Sequence, residues 1–172
     1  MTEGVLAFLD GDFLYHMTRD AEIKIKFDKM VLKIEENFSP FLRAYYYAGI
    51  QKPENETTIR FRDFLRYNGL NVIECPVLNS NEEGKQDRSM ISLQMSIDIV
   101  GKPLSMQKQN IVEIVVITNS TDVTQAMKFI KECGVKVHLI CNENKISAEL
   151  KKTADTCQDL FNFIGEKCIE KL

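Results

Sequence analysis

The chain has 172 residues, 44% hydrophobic and 27% charged, with a formal net charge of −3. That balance excludes a disordered or fibrous protein, and the length suits one compact domain spanning residues 1–172. The slight negative charge supplies no global attraction for a polyanion, so nucleic acid would need a local basic patch.

Apolar runs such as Ile114–Ile117 are far short of the ~20 residues that cross a bilayer. The start, Met1-Thr2-Glu3-Gly4, lacks the basic region of a secretory leader. Five cysteines occur with no CxxC pair. They read as reduced, mostly buried thiols, and the expected location is intracellular and cytoplasmic, with no membrane.

Two periods alternate along the chain. Val5–Leu9 is a short apolar run of the kind that forms a strand buried on both faces. Phe27, Met30, Val31, Ile34 and Phe38 recur at helical spacing, and Ser39-Pro40 should end that helix. Phe41–Ala48, rich in aromatics, predicts a second strand. Pro53 suits a helix start, with Phe61, Phe64 and Leu65 as the apolar face before Asn68-Gly69. Asn71–Leu78 predicts a third strand, followed by the polar stretch 79–85.

Met90, Leu93, Ile97 and Val100 then form a helical face ended by Gly101-Lys102-Pro103. Ile111–Thr118 is the strongest strand pattern, and a helix carrying Val123, Ala126, Met127 and Ile130 stops at Gly134. Val135–Cys141 predicts a fifth strand, and helical patterns over Ile146–Ala154 and Phe161–Leu172 complete the chain. Strand–helix alternation throughout predicts an α/β fold with a mostly parallel central sheet covered on both faces.

In such a sheet the functional crevice lies beyond the carboxyl ends of the strands. Asp10 and Asp12 follow the first strand, Asp87 stands where the helix after strand three should begin, and Ser120-Thr121-Asp122 follow the strongest strand. Carboxylates from three segments thus converge on one edge, a donor set suited to Mg²⁺ or Mn²⁺. Asp98, eleven residues after Asp87, would lie about 16 Å farther along the helix, near the opposite edge. Asp87 and Ser120–Asp122 also have the form of ordinary helix N-caps.

Leu6–His16, Arg43–Tyr47, Lys85-Gln86-Asp87, Ile114–Asp122 and Ile146–Asp155 together resemble NYN domains of the PIN-like nuclease superfamily. The resemblance implies a three-layer α/β/α, Rossmann-like domain that hydrolyses RNA with Mg²⁺ or Mn²⁺ held at the strand ends. By position Asp10, Asp87 and Asp122 match the family's catalytic and metal-binding acids. Asp12 would be an auxiliary ligand or base, and Asn119 or Ser120 would orient a water or the scissile phosphate. Lys85 and Arg88, flanking Asp87, are the expected contacts to single-stranded RNA.

This chain departs from the family pattern at Phe13, where the family has Asn. Two segments admit a second register. Ser92 can take the acid position of the central helix with Asp98 six residues later, and Thr118-Asn119-Ser120 can put Ser120 in the acid position of the strand end. If both second registers hold, two metal ligands are lost. The edge geometry favours Asp87 over Asp98, and Ser120-Thr121-Asp122 fits the acid motif directly.

Arg62 and Arg66 share a helix face, and Arg43 and the strand tyrosines would stack on bases only if exposed. The alternative readings are a catalytically decayed scaffold that binds RNA or a protein, and a haloacid-dehalogenase-like phosphatase. In the latter Asp10 and Asp12 would act with Thr118 or Ser120, Lys128, and the late acids Asp155 and Asp159. Phe13-Leu14 departs from that family's Gly-Thr. Scattered glycines exclude a phosphate loop, and no Cys/His cluster suits zinc. His138 reads as a packed strand residue, and nothing marks Cys141 as reactive. A homodimer is permitted but not specified.

Overall fold

The computed structural model describes residues 1–80 and 83–172. In chain order the elements begin with β1 (Thr2–Asp10), α1 (Gly11–Asp20), β2 (Ile23–Ile25), α2 (Phe27–Asn37) and β3 (Phe41–Ile50). There follow α3 (Glu56–Tyr67), β4 (Leu70–Pro76), β5 (Leu78–Asn79), β6 (Gln86–Asp87) and α4 (Ser89–Ser105). The remainder comprises β7 (Gln109–Ile117), α5 (Thr124–Glu132), β8 (Lys136–Cys141), α6 (Ala148–Thr153), β9 (Thr156–Asp159), α7 (Leu160–Ile164) and β10 (Ile169–Lys171).

The central sheet has six parallel strands in the order β4-β3-β1-β7-β8-β9. Strand alternation divides the core into two layers. Val5, Ala7 and Leu9 of β1 face α1, α2, α3 and α7 through Leu14, Met30, Ile34, Leu65 and Phe163. Leu6 and Phe8 face α4, α5 and α6 through Met95, Ile99, Met127, Ile130 and Leu150. Leu6, Phe8 and Leu9 are fully buried, each contributing about 1.5–3 kcal/mol of apolar burial. The three-layer α/β/α architecture is therefore the one read from the sequence.

From β1 the chain runs outward to β3 and β4. It then returns along α4 to β7 on the other side of β1. The connections from β1 and β7 diverge, which opens a crevice at their carboxyl ends. Asp10 ends β1, and Thr118 follows β7 directly.

Several elements differ from the sequence expectation. Helix α4 does not stop at Gly101 but runs through Pro103 to Ser105. Pro103 falls in its last turn with the ring buried, so packing offsets the backbone hydrogen bond it cannot donate. The tail is not a helix from Phe161 to Leu172. Gly165, at φ 71°, ends α7, and Ile169–Lys171 pairs antiparallel with β2. The sheet gains a sixth strand, β9, at its polar edge. Of the apolar face expected on α3, only Leu65 is buried, whereas Phe61 and Phe64 are exposed. Of the polar stretch 79–85, residues 81 and 82 lie outside the described residues. Among the described residues no helix is long and apolar enough to cross a membrane.

Candidate functional site

Asp10 passes from strand to helix without a loop. Its Oδ1 accepts hydrogen bonds from the backbone N–H groups of Asp12 (3.0 Å) and Phe13 (3.1 Å), capping α1. Its Oδ2 accepts from Thr118 Oγ1 at 2.7 Å. So abrupt a turn needs glycine next. A Cβ at Gly11 would lie 2.3 Å from the Tyr47 carbonyl oxygen and 2.8 Å from the Tyr46 ring. Asp10 is only 6% exposed. Burial pushes its carboxyl pKa above the ordinary value, against the opposing pull of Thr118 and the cap, while the neighbouring Asp12 charge adds to the rise.

Asp12 lies in the first turn of α1, but its carboxylate is taken by Arg88. The guanidinium forms a two-pronged contact, Nε to Oδ2 at 2.5 Å and Nη2 to Oδ1 at 2.7 Å. This pair ties α1 to the start of α4 across 76 positions of sequence. Arg88 is thus engaged with the acid beside Asp10, and its pKa is raised, chiefly by that pairing.

On the β7 side, Thr118 Oγ1 also accepts from the Ser120 N–H at 3.0 Å, and Ser120 Oγ accepts from the Asp122 N–H at 3.3 Å. Asn119 is spent on the β8 end, where its Oδ1 accepts from the Asn142 N–H at 2.7 Å and its Nδ2 donates to the Asn142 carbonyl. Asp122 sits in a short 3-10 turn, Thr121–Val123. Its Oδ2 accepts from Ser92 Oγ at 2.8 Å, and its carbonyl accepts from Ser96 Oγ at 3.2 Å. Ser92 is buried. The crevice therefore holds one continuous polar chain: Asp10, Thr118, Ser120, Asp122, Ser92.

The structure brings Asp10, Asp12, Asn119, Ser120 and Asp122 to one sheet edge together with Arg88. Asp87 stands apart in the exposed β5–β6 hairpin. Its Oδ1 accepts from the Ser89 N–H at 2.9 Å, and hydrogen bonding by the Ser89 side chain, then by that backbone N–H, holds the carboxyl below its ordinary pKa. Lys85 lies exposed in the same hairpin region. Asp98 is not near the opposite edge. It is buried within α4, six residues or ~9 Å beyond Ser92, and accepts from Tyr47 Oη at 2.7 Å and Gln94 Nε2 at 3.0 Å.

The position facing Asp122 on α4 thus belongs to Ser92, as in the second register of that helix. Thr118, Ser96 and the Arg88–Asp12 fork complete the site. Thr118 had a sequence signal as the residue ending the strongest strand; the fork had none.

The phosphatase reading loses its parts. Lys128 pairs with Glu149 of α6 at 3.1 Å, and Asp155 accepts from the Val137 N–H and pairs with Lys131 at the start of β9. Asp159 caps α7 on the outermost strand. Arg62 and Arg66 do share a face, but both are bound by Glu74, with Glu54 also on Arg62. Tyr45, Tyr46 and Tyr47 are buried. His138 is packed between Thr156 (2.7 Å) and Glu113 (2.5 Å).

The donor set bears on the question of metal. Among the described residues no group of three or more His, Cys, Asp or Glu side chains is arranged to hold a metal ion. Asp12 is neutralised by a guanidinium, Asp122 faces a hydroxyl, and Asp87 lies on the hairpin. These residues do not fit the multi-carboxylate centre that the family resemblance implies.

A six-stranded parallel sheet with helices on both faces and polar residues gathered where β1 and β7 diverge defines a PIN-like α/β/α domain. The profile of the NYN domain matches residues 5–161. The chain belongs to the NYN domain family of the PIN-like nuclease superfamily. No curated protein matches it. Among solved structures it is similar to a protein of unknown function from Vibrio parahaemolyticus. That match has a TM-score of 0.71 and 15% identity, covering 98% of this chain and 97% of the other. A nicotinamidase from Staphylococcus aureus matches with a TM-score of 0.36 and 10% identity over 91% of this chain and 99% of that one, too weakly to bear on fold or function.

Proposed function

We propose that this NYN domain binds single-stranded RNA in the crevice between the ends of β1 and β7, and that binding does not depend on a carboxylate-held metal centre. The observation that carries this reading is the pairing of hydroxyl and guanidinium groups with the acids. Ser92 lies on Asp122 and Arg88 on Asp12, where a metal centre would want further anionic oxygens. Hydroxyls, backbone N–H groups and cations are the usual partners of phosphate oxygens. Ser120 and Lys145 line the same pocket of about 320 Å³ as Asp10 and would position the RNA backbone.

A second reading, Mg²⁺- or Mn²⁺-dependent RNA hydrolysis, is favoured by Asp10, which remains as a buried acid at the end of a central strand. One test separates the two. Binding of a labelled single-stranded RNA is measured in EDTA and in Mn²⁺, and the RNA is checked for cleavage beside Asp10→Asn. Equal affinity in both buffers with intact RNA is expected. Cleavage in Mn²⁺ that disappears in Asp10→Asn would establish the nuclease instead.

A further inference from the structure

A second pocket, of about 500 Å³, opens on the far side of Asp12 from the crevice and shares Asp12 and His16 with it. Its size falls within the range of small-ligand sites. Its walls come from α1, the end of β3, α3 and the start of α4. We propose that this pocket takes one nucleobase of a bound single-stranded RNA, stacked on Tyr15 and Phe61. The proposal rests on the RNA-binding reading and adds to it the part of the substrate that enters the protein.

Three observations converge. The first is aromatic surface open to solvent, with only the inner edge of Phe61 packed against Phe27 and Tyr46. Tyr15 is 61% exposed and Phe61 40% exposed, on two different helices that both line the pocket. The second is the floor. Gly11 and Gly49 carry no side chain there, and a Cβ at Gly49 would lie 2.5 Å from Arg88 Nη2, so the guanidinium packs closely on bare backbone. The third is charge.

Arg88 is balanced by Asp12, and Arg62 by Glu54 and Glu74. A pocket whose charges are already paired does not call for a phosphate; it suits a neutral, flat, polar-edged ring. Phosphate contacts are available next door, at Ser120 and Lys145. The two pockets meet at Asp12 and His16, so one nucleotide can place its base in one and its backbone in the other. Aromatic stacking tolerates any base because each presents a π-face.

The test uses the full chain, a fluorescently labelled single-stranded RNA, and the same RNA with abasic positions. Tyr15→Ala and Phe61→Ala should each weaken RNA binding roughly tenfold, within the range of one stacked base. Tyr15→Phe should restore it. The abasic RNA should bind wild type and Tyr15→Ala alike. Phe129→Ala, which removes an exposed ring from α5 on the opposite layer, should change nothing. If wild type binds RNA but neither alanine variant weakens it, the base pocket is refuted and RNA binding stands. If wild type binds no RNA at any salt concentration, both fall. Because Phe61 also packs against Phe27 and Tyr46, each variant's folding is checked by thermal melting before its binding is compared.

Discussion

If Ser92 and Ser120 stand where the family's acids belong, supplying those acids should create a metal site. The variant is Ser92→Asp with Ser120→Asp. Ser92 Oγ lies 2.8 Å from Asp122 Oδ2 and Ser92 is buried. An aspartate there replaces a donated hydrogen bond with two facing carboxylates. Without metal the double variant should lose about 1–3 kcal/mol of stability, the usual cost of an unsatisfied buried polar group, with like-charge repulsion in addition.

Mn²⁺ reverses the sign. A cation at one hundred times its Kd stabilises the folded state by about 2.7 kcal/mol. For a chain of this size each kcal/mol moves Tm by about 2–4 °C, so the gain is about 5–10 °C. Thermal unfolding followed by circular dichroism, in EDTA and in Mn²⁺, reads the difference. Wild type should move by no more than about 1 °C on the same scale. A wild-type shift as large as the variant's would mean that the natural residues already hold metal. No shift in either would mean that positions 92 and 120 do not converge on Asp10 and Asp122, and the reading of the site would fail.

Four further outcomes follow from single positions. Thr118→Val removes the donor to Asp10 and the acceptor of the Ser120 N–H in a fully buried place; urea denaturation should show a loss of about 2–3 kcal/mol. Gly11→Ala drives a Cβ against the Tyr47 backbone at 2.3 Å and should cost about 2 kcal/mol or more. Gly101→Ala, with open space on α4, should gain about 0.5–1 kcal/mol in the same assay. The Asp10 carboxyl holds its proton more tightly folded than unfolded, because burial disfavours the charge. Wild-type stability should therefore decline as pH rises from the unfolded carboxylate value, about 3.9, through the raised folded value. The slope is at most about 1.4 kcal/mol per pH unit. Asp10→Asn should lack that decline, so a wild-type-minus-variant difference that stays flat from pH 4 to 8 would refute the assignment.

What the sequence disclosed follows the range of the forces involved. β1 and β7 were legible because strands buried on both faces must be apolar throughout. β9, Thr156-Cys157-Gln158-Asp159, carries no such pattern. It is an edge strand held by its ladder to β8. Phe161, Ile164 and Cys168 keep helical spacing, so the tail read as a helix. The left-handed Gly165 and pairing of Ile169–Lys171 with β2 decide otherwise. At the site, Asp10 and Ser120–Asp122 were legible as polar residues ending strands. Ser92 was visible only as a second register, because a serine on an apolar helix advertises nothing until Asp122 faces it. The Arg88–Asp12 fork joins residues that no local spacing relates.

The presence of Asp10 has a structural account that does not require catalysis. One oxygen caps α1 and the other accepts from Thr118, so a single carboxylate fastens the central strand, its helix and the neighbouring strand end. Asparagine would preserve the cap, since both residues are favoured there. It would place an amide rather than an acceptor against Thr118, whose oxygen already receives the Ser120 N–H. An acid is thus the residue that satisfies all three donors at once, at the cost of burying a charge. The same geometry spends the Thr118 hydroxyl on Asp10 and Arg88 on Asp12, which leaves Ser120 and Lys145, in the same pocket, as the groups that face an incoming phosphate.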